Sequence, residues 1–299
     1  MVSILVPCYN HENYIEDCLK SLCEQTYQDV ELLINDDASK DNSWRVICDK
    51  KQELERRFHK VYMHRNENNQ GITKSLNHLL QHATGEYIKI LASDDMLDPM
   101  YIEKCVDYME QNEDIDAVIT NLYIGEESVN YSTRKDCTEF YYGSYPDFLG
   151  EGMLERVYQM DDIAAPATIV RKRVYDQIGW YDEKLNVEDW DFWLRMLKTG
   201  KRFGYIDEPL GTYRKNANSA SSTVANKNLE RRCLRILKSE LRIIDKHKSC
   251  VNPSIYWARR NRTVMGYFYI AVNNHLKKLE LYTRYQQLID KWILIRNGK

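Results

Sequence analysis

Several features that would place a protein in a specialised class are missing from this 299-residue sequence. None of the eight cysteines forms a Cys-x-x-Cys pair, which argues against a zinc ribbon or a dithiol redox motif and favours free thiols in a reducing compartment. No uncharged run reaches the roughly 18 residues needed to span a bilayer. The chain opens without the charged and long apolar regions of a signal peptide, so we expect a cytoplasmic protein. No nucleic-acid-binding module is recognisable, and we expect no nucleic-acid partner.

The balance of charge differs between the two parts of the chain. From Ser222 onward there are 17 Lys and Arg residues against 5 Asp and Glu residues, whereas the rest of the chain has 25 against 40. One interpretation is an acidic catalytic body with a basic tail that lies near anionic surfaces or acceptors. The other is that the two parts partly neutralise each other across an interface.

Short hydrophobic runs alternate with amphipathic segments through about the first 220 residues. The runs predict strands at 2–6, 30–34, 60–64, 86–91, 117–123, 167–170 and 202–206, the first of them stopped by Pro7. Between them we predict a helix carrying Ile15, Leu19 and Leu22, and helices at about 43–56, 72–82, 99–111, 172–178 and 188–199. This alternation is typical of an α/β fold with a mostly parallel sheet flanked by helices. The polar, Tyr-rich region 124–160 shows no clear pattern and is interpreted as an acceptor lid.

The pattern changes after Ser222. Apolar residues at helical spacing predict three helices, one over about 229–244, one over about 254–274, and one carrying Leu281, Leu288 and Trp292 on a single stripe. The chain is therefore divided into a catalytic domain, 1–222, and a basic C-terminal helical subdomain, 223–299. The amphipathic stripe permits peripheral membrane contact, and plain helix–helix packing is the alternative. The amphipathic stripe is also compatible with homo-oligomerisation.

Pairs of acids follow two of the predicted strands. Asp36-Asp37 and Asp94-Asp95 each come directly after a hydrophobic run, and Glu188-Asp189 lies in a third acidic cluster. The carboxyl ends of parallel strands line the crevice where open α/β sheets bind ligands. Carboxylate oxygens are the ligands that Mg²⁺ prefers. The acids therefore predict a nucleotide and divalent-cation site for metal-assisted group transfer.

Short motifs in a fixed order resemble those of the family 2 glycosyltransferases, which have the GT-A fold. The resemblance runs to about Ser222 and covers roughly three quarters of the chain, whereas the helical tail lies outside it. The matching segments are Val2-Ser3-Ile4-Leu5-Val6-Pro7-Cys8-Tyr9-Asn10, Cys23-Glu24-Gln25-Thr26-Tyr27, Asp36-Asp37-Ala38-Ser39-Lys40-Asp41, 71–77, Ala83-Thr84-Gly85-Glu86-Tyr87-Ile88, Ser93-Asp94-Asp95, Gly179-Trp180-Tyr181-Asp182-Glu183 and Glu188-Asp189.

The resemblance implies a donor site and a metal site. It implies that the residues after the first strand line the nucleotide pocket, that Asp95 binds Mn²⁺ or Mg²⁺, and that Asp94 contacts the ribose or the metal. Ala92 stands where the fullest family pattern has its first Asp, which leaves one intact acid pair for the metal. The structural alternatives are that Tyr9 is only packed at the end of the strand, that the acid pairs only shape turns, and that Lys74 is an ordinary lysine on a helix surface. The implied donor-binding residues are Pro7, Tyr9, Asp37, Lys74 and Asp94.

The resemblance also assigns the general base. It implies that Asp189 removes the proton from the acceptor hydroxyl, with Glu188 as the nearer rival and Asp191 on another side of the helix. Lys215 stands where the family often has a histidine, so it is a candidate phosphate contact. Arg214 is equally compatible with a structural ion pair. The candidate acceptor or phosphate contacts are Trp180, Glu188 and Lys215.

The implied function is inverting transfer of a sugar from a nucleoside diphosphate sugar, with a UDP-sugar expected, to an acceptor hydroxyl. The expected acceptor is a saccharide or a lipid-linked saccharide in bacterial polysaccharide or glycoconjugate synthesis. A sugar nucleotidyltransferase is one alternative, but it would need a Gly-rich phosphate loop after the first strand, where Pro7 to Asn10 stand. A catalytically inactive sugar-nucleotide-binding subunit is the other.

Overall fold

A mixed β-sheet covered by helices forms the centre of the molecule. The structure, a computed structural model, describes residues 1–144, 148–216 and 229–272. Its strands are β1 Val2–Cys8, β2 Val30–Asp36, β3 Lys60–Arg65, β4 Tyr87–Ile90, β5 Met96–Leu97, β6 Ala117–Gly125, β7 Thr138–Phe140, β8 Thr168–Arg171 and β9 Phe203–Arg214. Its α-helices are α1 Ile15–Cys23, α2 Ser43–Asp49, α3 Lys51–Arg57, α4 Ile72–His82, α5 Tyr101–Gln111, α6 Met153–Gln159, α7 Lys172–Ile178, α8 Glu188–Lys198, α9 Leu229–Lys246 and α10 Pro253–Val272.

The strand order is β3-β2-β1-β4-β8-β6-β9-β5, and β7 pairs with one end of β6 outside this order. The first four strands of this order are parallel, as predicted. Beyond β4 the sheet is mixed, because β8 runs antiparallel to both β4 and β6 while β9 runs parallel to β6. The predicted α/β fold is therefore confirmed, and its parallel part is concentrated in the amino-terminal half.

The strands β1 and β2 are buried along their whole length. Their side chains alternate between two hydrophobic clusters, so that Leu5 and Leu33 face one layer of helices while Ile4 and Ile34 face the other. Burial on both faces explains why these strands are continuous apolar runs in the sequence.

The buried carboxylate of Glu31 joins neighbouring strands at the end of the sheet opposite to the acid pairs. Its carboxylate accepts hydrogen bonds from Ser3 Oγ at 2.5 Å, Thr84 N at 2.5 Å, Gly85 N at 3.2 Å and Lys60 Nζ at 3.2 Å. Burial raises the pKa of Glu31, but the hydrogen bonds from Ser3, Thr84 and Lys60 outweigh burial and leave the pKa below its ordinary value. A side chain at position 85 would place its Cβ 2.7 Å from the backbone nitrogen of Ser3, so only glycine fits there.

Three boundaries differ from the predictions. Pro7 does not stop β1, because proline lacks only the backbone N–H and the strand can continue to Cys8. The carbonyl of Cys8 accepts the N–H of Asp37 at 2.8 Å. The predicted helix 43–56 is divided into α2 and α3 at Lys50. The predicted strand 202–206 continues to Arg214, with a register shift opposite Thr120 and Asn121 that accommodates Pro209.

Two of the three helices predicted after Ser222 are present as α9 and α10, which pack against each other and against α6. The hydroxyl of Tyr158 in α6 donates to the carbonyl of Ile244 in α9 at 2.9 Å. The proposed domain boundary at 222 and the predicted third helix lie outside the described residues. Within the described ranges, no helix combines the length and the hydropathy needed to cross a bilayer.

Candidate active site

The loop after β1 is bonded to the loop after β2. The backbone N–H of Asn10 donates to Ser39 Oγ at 2.9 Å, and the Asn10 side chain accepts the N–H of Lys40 at 2.8 Å. The N–H of His11 donates to Ser43 Oγ at 2.8 Å. These contacts hold Tyr9, which is 39% exposed, at the rim of the sheet, whereas Pro7 is buried within β1.

Asp37 organises the loop that precedes α4. Its Oδ1 accepts hydrogen bonds from Asn66 Nδ2 and Gln70 N, both at 2.7 Å, and its Oδ2 accepts one from Gly71 N at 2.8 Å. Gly71 has a φ of 91°, a conformation that favours glycine. Asp37 is buried and joins the end of β2 to the loop between β3 and α4. Its donor-binding role stays a prediction.

Asp36 shapes the turn that follows β2. Its Oδ2 accepts the N–H of Ser39 at 3.1 Å and lies 3.2 Å from Arg65 Nε. The other oxygen, Oδ1, is buried without a hydrogen-bond partner among the described residues.

The helix α4 connects the Asp37 loop to the segment before α8. Thr73 Oγ1 donates to the carbonyl of Leu185 at 2.9 Å, and Asn77 exchanges two hydrogen bonds with the backbone of Tyr181 at 2.9 and 3.1 Å. Lys74 lies in the first turn of the same helix and is exposed. The contacts place the start of α8 beside the helix whose first residues bind Asp37.

The second acid pair is buried and is held by the end of β9. Asn216 Nδ2 donates to Asp94 Oδ2 at 2.5 Å, and the N–H of Arg214 donates to Asp95 Oδ1 at 2.9 Å. His11 Nδ1 lies 3.8 Å from Asp94 Oδ1. Burial, and then the charge of Asp94, raise the pKa of Asp95 well above its ordinary value.

The third acidic cluster lies at the start of α8. Loss of hydration within the surrounding protein, and then the charge of Asp189, raise the pKa of Glu188 to about 8. Loss of hydration also raises the pKa of Asp189. Asp161, which keeps an exposed surface, has a pKa raised by the same cause and then by the charge of Asp189. Three carboxylates thus share a region in which ionisation of all of them is unfavourable.

Asp191 points away from this cluster and fastens α8 to the C-terminal helices. Its Oδ1 lies 2.8 Å from His247 Nε2 and 2.9 Å from Lys246 Nζ, and its Oδ2 accepts Arg195 Nε at 2.8 Å. Burial raises the pKa of Asp191, but the hydrogen bonds from His247 and Lys246 and the charge of Arg195 bring it far below its ordinary value. Asp189 and Asp191 thus have different surroundings, which is consistent with the expectation that they lie on different sides of the helix.

A second contact fixes the segment before α8. Ser239 Oγ in α9 accepts the N–H of Asn186 at 2.8 Å. The guanidinium carbon of Arg259 in α10 lies 4.9 Å from the centre of the buried Trp190 ring. The C-terminal helices therefore support the helix that begins with Glu188 and Asp189.

The remaining candidate contacts are exposed. Trp180 has 41% of its surface exposed, while its backbone carbonyl accepts Arg195 Nη2 at 2.8 Å. Lys215 Nζ lies 3.9 Å from Glu126 Oε1. Arg214 forms the predicted ion pair, with Nη2 3.1 Å from Asp17 Oδ2.

Comparison with known proteins gives the family. The model of the family described as "Glycosyl transferase family 2" matches residues 3–179. The chain belongs to glycosyl transferase family 2. The matched range contains the Asp37 loop and the second acid pair, whereas α8 and the C-terminal helices lie beyond it.

Curated relatives of this family 2 chain are glycosyltransferases. An uncharacterized glycosyltransferase of Methanocaldococcus jannaschii is 28% identical over 216 residues, which cover 72% of this chain and 70% of that protein. The glycosyltransferase GlyG of Streptococcus pneumoniae is 27% identical over 234 residues, covering 75% of this chain and 73% of that protein.

Solved structures of GT-A glycosyltransferases share the fold. S. aureus TarS 1–349 in complex with UDP-GlcNAc matches with a TM-score of 0.58 and 17% identity, over 94% of this chain and 78% of that one. The mannosyltransferase PcManGT of Pyrobaculum calidifontis, in complex with GDP-Man and Mn²⁺, matches with a TM-score of 0.61 and 14% identity, over 97% and 82%. The predicted GT-A fold is confirmed.

The Asp94-Asp95 pair has the chemistry of a partial cation site. Each carboxylate has one oxygen held by a hydrogen bond from the end of β9, and the other oxygen accepts no hydrogen bond from the described residues. Burial and the charge of Asp94 raise the pKa of Asp95, so a cation placed beside the pair would favour its ionised form. Among the described residues no third His, Cys, Asp or Glu completes a metal-binding group. The pair therefore fits a divalent cation that also takes oxygens from a diphosphate and water.

Several residues of the site were missed from the sequence. Asp161 lies just beyond the unassigned region 124–160, and the doublet Asp161-Asp162 before an apolar run was the available signal. His11, whose Nδ1 lies 2.7 Å from Ser93 Oγ, gave no local signal, and Asn216, next to Lys215, was assigned no role of its own, because their contacts join distant parts of the chain.

Proposed function

We propose that this protein transfers a sugar from a nucleoside diphosphate sugar, with a UDP-sugar favoured, to an acceptor hydroxyl with inversion at the anomeric carbon. The observation that carries the proposal is the linkage of three acidic segments. Asp37 accepts a hydrogen bond from Gly71 just before α4, α4 donates one to the segment before α8, and His11 in the loop after β1 is hydrogen-bonded to Ser93, which precedes Asp94. We infer from this linkage that acids from distant parts of the chain serve one donor site beside the carboxyl ends of β1, β2 and β4.

The donor nucleotide is proposed to lie across the end of β1. The exposed ring of Tyr9 offers a stacking surface for the base. Asp37 shapes the adjacent loop and is proposed to contact the base with the lone pair that its loop leaves free. Lys74, exposed in the first turn of α4, supplies a cation for phosphate. The UDP and UDP-GlcNAc complexes of TarS support a nucleotide-sugar donor.

Asp95, assisted by Asp94, is proposed to hold Mn²⁺ or Mg²⁺. A bound divalent cation would neutralise the charge that develops on the departing diphosphate. The Mn²⁺ complex of PcManGT supports this assignment. The role of the two residues is to present oxygens in a fixed orientation, which the hydrogen bonds from Arg214 and Asn216 provide.

Asp189 is proposed to act as the general base. Its carboxylate takes the proton of the acceptor hydroxyl while the oxygen forms a bond to the anomeric carbon and the bond from that carbon to the diphosphate oxygen breaks. A raised pKa makes a carboxylate a stronger base at neutral pH. Attack from the face opposite the leaving group gives inversion.

The acceptor is proposed to bind between the start of α8 and Trp180. An exposed indole is a stacking surface for a saccharide ring, and Glu188 and Lys215 are the candidate polar contacts. The acceptor class, a saccharide or lipid-linked saccharide of a bacterial polysaccharide or glycoconjugate, rests on the family. The family match disfavours the nucleotidyltransferase alternative and leaves an inactive binding subunit as the rival.

A donor panel separates these possibilities. We expect release of nucleoside diphosphate from one UDP-sugar in the presence of Mn²⁺, and about a 10²–10⁴-fold loss in Asp189→Asn with nucleotide affinity retained. Asp176→Asn on α7 is the matched surface control. Nucleotide binding without turnover of any donor by the wild type would support the inactive subunit, and equal turnover by Asp189→Asn would remove the base assignment.

A further inference from the structure

A row of basic side chains lies along the outer surface of α9. Its members are all exposed, and they are spaced by four, three and four residues. At about 100° per residue, this spacing keeps them within about 60° of one another around the helix axis. We call this set the basic row: Arg231, Arg235, Lys238 and Arg242. The side of α9 that faces the body of the molecule carries the buried residues Leu237, Ser239, Ile243, Ile244 and His247.

The cations of the basic row are largely unpaired. Within the part of the chain that the structure describes, Arg231, Arg235 and Lys238 make no ion pair. Two acids of α9 are instead engaged by α10, since Glu240 Oε2 lies 3.2 Å from Arg259 Nη2 and Asp245 Oδ1 lies 3.1 Å from Arg260 Nε. Two acids of α9 are thus neutralised by ion pairs within the hairpin of α9 and α10, while positive charge remains on its outer surface.

The outer side of α10 exposes large apolar groups. Trp257 is 53% exposed and Met265 is 54% exposed, with the exposed Asn261 midway between them on the same side of the helix. Arg260 flanks this side, with its guanidinium carbon 5.9 Å from the centre of the Trp257 ring. The opposite side of α10 carries Arg259 and Thr263, which are buried against α9.

We propose that the basic row and the Trp257–Met265 side of α10 together form a docking surface for an anionic lipid bilayer. Clustered Lys and Arg residues are attracted to the negative surface of such a bilayer. Tryptophan is the side chain best suited to the boundary between headgroups and acyl chains. A soluble anionic polymer would account for the basic row but not for the exposed indole and thioether, so the lipid surface is the better match.

The docking surface is joined to the candidate active site by one direct contact. Arg242, the last member of the basic row, donates through Nη1 to the carbonyl of Lys184 at 2.9 Å. Lys184 lies in the segment that leads to Glu188 and Asp189. Docking would therefore hold the start of α8 near the lipid surface. The proposal is read out without donor or acceptor, so its failure is distinct from failure of the proposed function.

Vesicle co-sedimentation of the full chain tests the proposal. We expect binding to phosphatidylcholine vesicles that contain phosphatidylglycerol, and at least tenfold weaker binding to phosphatidylcholine alone or at high salt. Arg235→Glu/Lys238→Glu should lower binding to the anionic vesicles at least tenfold. The control Lys51→Glu/Arg56→Glu makes the same change of net charge on exposed residues of α3 and should bind like the wild type.

A second variant tests the apolar contribution. Trp257→Ala/Met265→Ala should weaken vesicle binding severalfold and leave the remaining binding sensitive to salt. The proposal is overturned if the wild type does not bind anionic vesicles, or if the α3 control loses as much binding as the α9 variant. It is also overturned, in favour of a soluble polymer, if the Trp257 and Met265 changes have no effect while dextran sulfate is bound through the basic row.

Discussion

The acids at the end of β2 and the acids at the start of α8 differ in what balances their charge. Asp37 accepts three hydrogen bonds from the loop between β3 and α4. Glu188 and Asp189, by contrast, have pKa values raised by loss of hydration, and in Glu188 also by the neighbouring charge. A carboxylate surrounded by N–H donors shapes the backbone. A carboxylate with a raised pKa can take up a proton near neutral pH, as a general base must.

Asp191 gives the sharpest version of this comparison, because it is only two residues from Asp189 yet is surrounded by cations. Asp191→Asn should lower the free energy of unfolding by about 3–5 kcal/mol, since Lys246 and Arg195 would then be left without their buried partner. Chemical denaturation measures the change. Lys172 and Asp176 form an exposed pair on α7, so Asp176→Asn should cost less than about 1 kcal/mol.

The pH dependence of that stabilisation has a defined sign. The folded pKa of Asp191 is far below its unfolded value, so the stabilisation is complete above about pH 4 and is lost as the pH falls through the folded pKa. The difference in stability between the wild type and Asp191→Asn should therefore persist down to about pH 4. A difference that disappears near pH 7 would contradict the role of Asp191.

Asp37→Asn tests the shaping role of the first acid. An amide can no longer accept at both positions, so one of the N–H groups of Gln70 and Gly71 loses its partner and stability should fall by about 1–3 kcal/mol. Donor affinity should fall as well, because the loop borders the nucleotide region. Titration of nucleotide binding together with denaturation measures both. Unchanged stability with lost affinity would instead indicate direct base contact as the main role of Asp37.

Asp95→Asn should behave in the opposite way. The asparagine Oδ1 can still accept the N–H of Arg214, while the buried charge is removed. We expect no loss of stability, and a gain at pH 8, where the raised pKa makes ionisation costly. Stimulation by Mn²⁺ should be lost. A strongly destabilised variant would show that Asp95 is a structural acid like Asp37.

Glu188→Gln gives the smallest effect. Activity requires an ionised base, so it rises with pH through the pKa of that base. The pKa of Glu188 is raised to about 8, so Glu188 is protonated in the range where Asp189 ionises, and removing its carboxyl group should leave the acidic limb of the kcat/KM profile in place, with a modest change in the maximum. Glu183→Gln, an exposed change in the same segment, should leave the limb in place. Loss of the limb in Glu188→Gln would make Glu188 the base.

The amino-terminal half of the site could be predicted because its signals are local. A buried strand and the acids that follow it are adjacent in sequence, so β2 with Asp37 and the segment Ser93 to Asp95 could be recognised from short patterns. Helices α4, α7 and α8 likewise matched their predicted ranges closely. The confirmed family rests on the same adjacent residues.

The remaining features depend on contacts between distant residues. Lys89 lies within the predicted strand 86–91 but is fully buried, and its Nζ donates to the carbonyls of Ala165, Pro166 and Thr168 at 2.9–3.0 Å. The length of β9 is set by its pairing with β6, which no local pattern encodes. Asp161, whose pKa is raised in part by the charge of Asp189, lies just beyond a region without periodicity.

The hydrogen bonds that Glu31 accepts affect how variants of this family should be interpreted. Gly85 and Thr84 belong to one of the most recognisable motifs in the chain, yet they lie at the end of the sheet away from the acid pairs and serve to join β1, β2 and β4. A bulky substitution at Gly85 should therefore yield insoluble protein, whatever donor or acceptor is supplied. Loss of activity in such a variant would report on assembly of the sheet and would carry no information about sugar recognition.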